Sequence, residues 1–300
     1  MQTHSGYRLV RLGNGSYSVH SLGEGETFHP GIGPVAEAEV LNVRQLRIPE
    51  RVREAGGEFV IWDVGLGAAA NALTVIRNLG EQPANSTSAL VRIVSFDRTT
   101  DALAFAYESR RELGYFGGLE DPVTGLIQNR RADFRVGSLR VEWTLVMGDF
   151  PTLMADLDSR KDRQLPAPHA ILFDPHSPAK NPLMWTVSLF SGLFARLDRT
   201  RPCALATFSR STIARTALLL GGFFVGAGYP SGLKEETTIA ANRIELLGAP
   251  LDRHWLERAR RSHSAEPLET GGFVRRPLTP ETWRCLQEHP QFAAHRPGGG

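Results

Sequence analysis

The chain is poor in the residue types that would announce a disulfide scaffold, a membrane span or a lysine-rich nucleic-acid tail. Its 300 residues hold only two cysteines, Cys203 and Cys285. Two thiols so far apart supply neither a disulfide framework nor a metal-ligand spacing, so no metal is expected. No segment reaches the roughly eighteen consecutive apolar residues that a membrane helix needs. Met1 to Tyr7 has neither the cationic region nor the apolar stretch of a secretory signal, so the expected compartment is reducing and cytoplasmic. Net charge is only +2, from 34 Lys+Arg against 32 Asp+Glu, and does not declare a nucleic-acid partner. Lysine is scarce, with Lys161, Lys180 and Lys234 the only three. The positive charge is therefore nearly all guanidinium, the group suited to bidentate phosphate contact and base stacking, although a compositional bias gives the same pattern.

What is present is an ordinary globular balance, 41% hydrophobic and 22% charged, on a chain long enough for a sizeable core. Tyr7 to Ser21 alternates around Asn14-Gly15, a strong hairpin signal. Gly23 to Gly33 reads as loop and contains Phe28-His29-Pro30; a helix then starts at Pro34 and runs to about Leu46. Arg47 to Gly57 reads as a basic, polar lead-in. Seven apolar, β-rich runs follow: 59–64, 89–96, 139–147, 171–173, 203–208, 223–227 and 237–244. Helices are expected after the first run, over 100–113, over 182–197 and over 211–220, the last stopped by Gly221-Gly222. The stretch between Gly114 and the third run, with Gly117-Gly118 and Pro122, reads as a long loop. Strands alternating with helices predict a Rossmann-like, doubly wound α/β fold: a seven-stranded, mostly parallel sheet with helices on both faces. The expected organisation is 1–55 as an N-terminal hairpin and helix, 56–245 as the main domain, and 246–300 as an extension. That extension carries short helices around Trp255 and Trp283 and a disordered Gly-rich end. No internal repeat is visible.

Four acids fall at strand ends. Asp63 precedes Gly65-x-Gly67 at a strand-to-helix junction, where glycines let backbone approach a nucleoside ligand and the helix start offers free N–H groups. Gly65-x-Gly67-x-x-Ala70 also satisfies the dinucleotide fingerprint. That motif wants a ribose-binding acid about 20 residues on, whereas Asp97 lies thirty beyond Gly67. Asp63 itself suits an ammonium group, as on the methionine end of S-adenosylmethionine, and does not suit a pyrophosphate. Asp97 is placed to accept from both ribose hydroxyls and Asp149 from an adenine amino group. Asp174 ends the fourth run and is followed by residues that cannot extend a strand, a candidate reaction site in an open α/β sheet. His176 beside it has the intrinsic pKa of a general base or else only packs. His29 either lines the site mouth or shapes its loop. Trp185, at helical spacing, is read as core, and both cysteines as inert.

Asp174-Pro175-His176-Ser177-Pro178-Ala179-Lys180-Asn181-Pro182-Leu183-Met184-Trp185-Thr186 resembles the aspartate-centred motif of the methyltransferase domain of bacterial MnmC. The likeness takes in the hairpin, Phe28-His29-Pro30 with Ala36-Glu37-Ala38, and Asp63-Val64-Gly65-Leu66-Gly67 with Asn71. It continues through Gly148-Asp149, Thr207 to Ser211 and Gly232-Leu233-Lys234-Glu235, and so covers about residues 8 to 245. The family's usual Asp-Gly-Phe-Ala-Pro is Asp174-Pro175-His176-Ser177-Pro178 here, and the third glycine of its turn is Ala69, harmless if that position is helical. The resemblance implies a class I S-adenosylmethionine-dependent methyltransferase acting on the aminomethyl group of wobble uridine 34 in tRNA. It also implies a stand-alone form that depends on another enzyme for its aminomethyl precursor. Asp174 would then orient the amine, with His176 beside it and the Pro175 carbonyl as a second acceptor. Asp63, Gly65, Gly67, Asn71, Asp97, Asp149 and His29 would form the cofactor site, and Lys180 and Lys234 the substrate contacts. Phosphate contacts would come from arginines such as Arg110, Arg111, Arg130, Arg131, Arg258, Arg260 and Arg261. Methylation of a small molecule or protein amine, a nicotinamide-dependent oxidoreductase, and a binding protein without turnover are the competing readings.

Overall fold

The computed structural model describes residues 6–82, 89–156, 165–232, 235–269 and 272–293. β1 (Tyr7–Arg11) and β2 (Tyr17–Ser21) form the expected hairpin, and the two-residue β3 (Glu26–Thr27) adds a third strand inside the predicted loop. The helix at Pro34 is α only over α1 (Pro34–Ala38) and widens into a π-helix, Glu39–Arg44. The basic stretch after it is helical, α2 (Ile48–Ala55), with Arg51 and Val52 buried.

The remaining elements alternate. β4 (Glu58–Val64) leads to α3 (Ala70–Gly80), and β5 (Leu90–Asp97) to α4 (Asp101–Glu108), α5 (Arg110–Leu113) and α6 (Glu120–Asn129). β6 (Arg131–Val136) and β7 (Leu139–Met147) form a hairpin before α7 (Phe150–Asp156) and β8 (Ala170–Phe173). A 3-10 turn, Pro182–Trp185, precedes α8 (Val187–Ala195), β9 (Ala204–Thr207), α9 (Thr212–Leu220), β10 (Phe224–Gly228) and β11 (Thr237–Ala241). A second 3-10 turn, Ile244–Leu246, then α10 (Arg253–Arg260), α11 (Pro280–Glu288) and α12 (Pro290–Ala293) are the last elements among the described residues.

The main sheet has eight strands in the order β10-β11-β9-β8-β4-β5-β7-β6, which corrects the expected seven. The extra strand is β6, a charged edge strand whose outward Arg131, Asp133 and Arg135 hid its alternation. The loop expected there also conceals α6. Pro122 sits in its first turn, where a missing N–H costs nothing, and Gly125 lets β6 pass, since a Cβ there would lie 3.0 Å from the Arg131 carbonyl oxygen. The helix expected over 100–113 breaks at Ser109, and that over 182–197 breaks at Thr186, which caps α8 by accepting from the Leu189 N–H at 3.2 Å.

β7, β5, β4, β8 and β9 run parallel, and the pleat sorts their side chains. Phe59 and Ile61 of β4 join the core beneath α2 to α6, whereas Val60, Trp62 and Val64 join the core beneath α7 to α11. Gln291 of α12 ties the last helices to the sheet, donating to the Val225 and Leu251 carbonyls and accepting from the Val225 N–H. The Gly-rich end expected to be disordered lies outside the described residues.

Candidate active site

Parity decides where the acids go. Asp63 pairs with Ser95 across β4 and β5 and with Leu172 across β4 and β8. Asp63, Ser95 and Asp97 continue the face of Ile61 and Ile93, and Asp174 continues that of Leu172. All four therefore lie at the carboxyl ends of neighbouring strands, on the side of α3. The chain leaves β4 toward β5 on one side and returns as β8 on the other, so Asp63 and Asp174 flank the topological switch point, where α/β sheets bind ligands.

Asp63 is 1% exposed. Its Oδ2 accepts from Ser95 Oγ at 2.7 Å, and Ser95 Oγ in turn accepts from Trp143 Nε1 at 2.9 Å. Its Oδ1 is buried without a hydrogen-bond partner among the described residues. Burial, with the like charges of Asp174 and Asp97, pushes the carboxyl up to about 7. Asp97 Oδ2 accepts the Gly67 N–H at 2.8 Å and Oδ1 the Arg98 N–H at 2.7 Å; burial raises its pKa against those bonds. Asp149 caps α7, its Oδ2 accepting from Thr152 Oγ1 at 2.8 Å and from the Thr152 N–H at 3.2 Å.

The glycines of the turn are required by the protein's own packing. Gly65 has φ 89°, and a Cβ on it would lie 2.8 Å from the Asp174 carbonyl oxygen, so only glycine lets the Asp174–Pro175 backbone pass. Gly67 has φ 50°, and its Cβ would press the Phe28 ring at 3.2 Å. Ala69 is not helical as expected: it caps α3 in the left-handed region at φ 60°, the conformation that favours the glycine it replaces.

Asp174 is held from two sides. Asn71 Nδ2 donates to its Oδ2 at 2.7 Å, and Asn71 Oδ1 accepts from Asn42 Nδ2 of the π-helix at 2.8 Å. His29 Nε2 stands 3.6 Å from the same Oδ2. His176 turns toward β3: its Nδ1 lies 3.2 Å from Glu26 Oε2, and its ring leans on Phe28 at 5.8 Å. Ser177 Oγ donates to Glu26 Oε1 at 2.6 Å, and Ser177 and His176 together hold the Glu26 carboxyl below its ordinary range although burial opposes them. Pro175 is buried, and Lys180 is exposed near Gly25. Lys234 lies outside the described residues. Trp185 is core, donating from Nε1 to the His176 carbonyl at 3.0 Å. Cys203 is buried, its thiol pushed up to about 12 by burial, while Cys285 is exposed.

Glu26, Glu37, Asn42 and Ser95 were not expected at the site. Ser95 had a signal: a polar residue inside the apolar run Ile93 to Phe96, on the pleat facing Asp63. Asn42 had one too, standing between Leu41 and Val43 in an otherwise apolar turn.

Comparison with known proteins agrees with this geometry. Residues 121–243 match the family described as S-adenosyl-L-methionine-dependent methyltransferase. Curated relatives include the tRNA 5-methylaminomethyl-2-thiouridine biosynthesis bifunctional protein MnmC of Aeromonas hydrophila, 29% identical over 85% of this chain and 38% of the relative. The protein of the same name from Ectopseudomonas mendocina is 31% identical over 68% of this chain and 30% of its own length. The chain thus spans less than two-fifths of these relatives. Among solved structures, MNMC2 from Aquifex aeolicus superposes with a TM-score of 0.64 at 21% identity, covering 89% of this chain and 79% of that one. Family match and relatives together support an MnmC-like, S-adenosyl-L-methionine-dependent methyltransferase domain in this chain, and the structural neighbour shares its fold.

Proposed function

We propose that this chain methylates the aminomethyl group of wobble uridine 34 in tRNA. The observation that carries the reading is Asp174, a carboxylate beside the switch point whose fixed partners both engage Oδ2. The names of the curated relatives supply the acceptor class. S-Adenosylmethionine, when bound, supplies a methyl group on a positively charged sulfur, a leaving group that needs no acid. The protein's part is positioning and the handling of one proton.

The residues fit such a cofactor. Asp63, with a buried oxygen lacking a donor, takes the ammonium end and becomes fully ionised as it does so. Asp97 accepts from the ribose hydroxyls and Asp149 from the adenine amino group, with Gly65 and Gly67 shaping the turn between them. The same acids disfavour the nicotinamide reading, since a pyrophosphate would meet Asp63, Asp97 and Asp174 together. Asp174 Oδ1 accepts an N–H of the amine, orients its lone pair and takes up the proton released after transfer. The Pro175 carbonyl is a second acceptor for the amine. His176, paired with Glu26, sets the shape of the substrate mouth. Lys180, Lys234 and surface arginines such as Arg111, Arg258 and Arg261 contact phosphates, and the wobble base reaches the pocket from a single-stranded loop. An enzyme that makes the aminomethyl group is the functional partner this reading requires. The reaction belongs in the cytoplasm; among the described residues no helix is long and apolar enough to cross a membrane.

The test is incubation with S-adenosylmethionine and total tRNA from cells lacking this activity, followed by nucleoside mass spectrometry. Conversion of aminomethyluridine to its methylated form is expected. Methylation of a small amine or a protein, with tRNA untouched, would overturn the assignment.

A further inference from the structure

Resting on Asp174 as the holder of the amine, one set of contacts goes beyond that role. His29 presents both ring nitrogens to carboxylates: Nε2 lies 3.6 Å from Asp174 Oδ2 and Nδ1 lies 3.5 Å from Glu37 Oε2. Glu37 is itself locked, its Oε1 accepting the Gly31 N–H at 2.9 Å and the Ile32 N–H at 3.3 Å. Gly31 leaves no slack, because a Cβ there would stand 2.6 Å from that oxygen. Opposite, Asn71 is held by Asn42, so its amide oxygen faces Asn42 and its NH2 must face Asp174. His29 also keeps a left-handed backbone at φ 47°, a strained conformation for a residue with a Cβ. Strain of this kind persists only where the surroundings impose it.

We propose that Glu37 and His29 form a clamp that fixes Asp174 through Oδ2 and so aims Oδ1 at the substrate amine. His29 is a positioning residue in this scheme; it touches no reacting atom. Its state follows from the geometry. An ionised carboxylate oxygen only accepts, so a ring facing one at each nitrogen is best matched by a proton on both, and the neutral imidazole has only one. The electrostatics agree. Burial works against the charge, but Asp174 and Glu37, with Asp63 behind them, outweigh it and raise the pKa of His29 above 6.5. The clamp is therefore closed below that raised value and opens as pH rises through it, when Asp174 loses its cationic neighbour. It also gives the N-terminal segment a purpose: Phe28-His29-Pro30 and α1 bring His29 and Glu37 onto a residue more than a hundred positions away.

Nitrogen-15 NMR titration of the His29 imidazole in the full chain, with neither cofactor nor acceptor, tests the clamp directly. The expected midpoint lies above the ordinary 6.5 and falls in both Glu37→Gln and Asp174→Asn. A midpoint at or below 6.5, or one that neither substitution moves, overturns it. In turnover, His29→Asn is expected to lose about tenfold to a hundredfold in kcat with the KM for cofactor within threefold. Glu37→Gln should move the high-pH fall in kcat to lower pH, an effect a merely structural role would not produce. Because the titration needs no methyl acceptor, a failed tRNA assignment leaves it intact, and a failed titration leaves the tRNA assignment intact.

Discussion

One strand, β8, has a histidine at each end, and the two are tuned in opposite directions. At its carboxyl end His29 lies between Asp174 and Glu37 and is driven toward the charged form. At its amino end His169 lies between Arg201 and Arg51; burial and these two cations drive its pKa down to about 4. His169 Nδ1 accepts the Val60 N–H at 2.9 Å, its ring stacks on Phe59 at 4.8 Å, and Arg51 donates to the His169 and Pro202 carbonyls at 2.7 and 3.0 Å. That end closes the sheet with its polar groups largely satisfied. The other end keeps like charges close together and leaves a buried carboxylate oxygen without a donor among the described residues. Closure makes the amino end a stability device; unrelieved charge makes the carboxyl end fit for a cationic ligand.

The comparison breaks most visibly at Gly65. Gly65→Ala forces a Cβ onto the Asp174 backbone, so methyl transfer should fall a hundredfold or more, and denaturant melts should lose about 2–4 kcal/mol. The change sharpens the contrast only if activity falls further than stability explains.

Asp63→Asn separates affinity from stability. Cofactor affinity, measured by calorimetry, should drop about tenfold to a hundredfold, the worth of a charged hydrogen bond. Stability without cofactor should move the other way. The folded pKa of Asp63 is raised to about 7, against 3.8 as the ordinary value, so above pH 4 the unfolded chain has released a proton that the folded chain still holds. The wild type therefore loses stability as pH rises toward 7, and between pH 5.5 and 7 it should lose about 2 kcal/mol relative to the variant. Equal slopes in the two proteins would count against a neutral, desolvated Asp63.

His169 predicts the mirror image. Its folded pKa is depressed, so the unfolded chain takes up a proton below pH 6.5 that the folded chain refuses until about 4. Stability falls as pH drops through that window. His169→Ala should be less stable at neutral pH, where the Val60 N–H loses its acceptor, yet flatter across the window by about 1–2 kcal/mol once solvent screening is allowed for. Ala69→Gly is the smallest change. Relief of the left-handed strain offsets the lost buried methyl group and the added freedom of the unfolded chain, so thermal melts should agree within about 1 kcal/mol.

Strand ends were the most legible part of this molecule. Apolar runs closing on Asp63, Asp97 and Asp174 lie where the pleat and parallel order demand, and the hairpin at Asn14-Gly15 forms as its turn chemistry requires. Elements whose cues conflict were hidden. β6 carries charges on its open face, α6 has a proline in its first turn, and the π-helix has the composition of an ordinary helix. The site was half legible for a similar reason. Asp63 and Asp174 are marked by the strands they end, whereas Glu37 and Asn42 reach the site only through the packing of α1 and the π-helix on α3. No local pattern encodes that contact. Ala69 carries a further lesson: an alanine opening an alanine-rich helix reads as helical, and its left-handed backbone emerges only from the turn that must bring Gly67 onto Asp97.

On the proposed reading, Asp174 holds the amine while other groups bind the cofactor. Single-turnover methyl transfer by Asp174→Asn, set beside its affinity for S-adenosylhomocysteine, tests it most directly. The rate should be about 10²–10⁴-fold lower, the range of a positioned acid–base group, with affinity within a few-fold of the wild type. A rate within threefold of the wild type, or a loss that follows cofactor affinity alone, would contradict it.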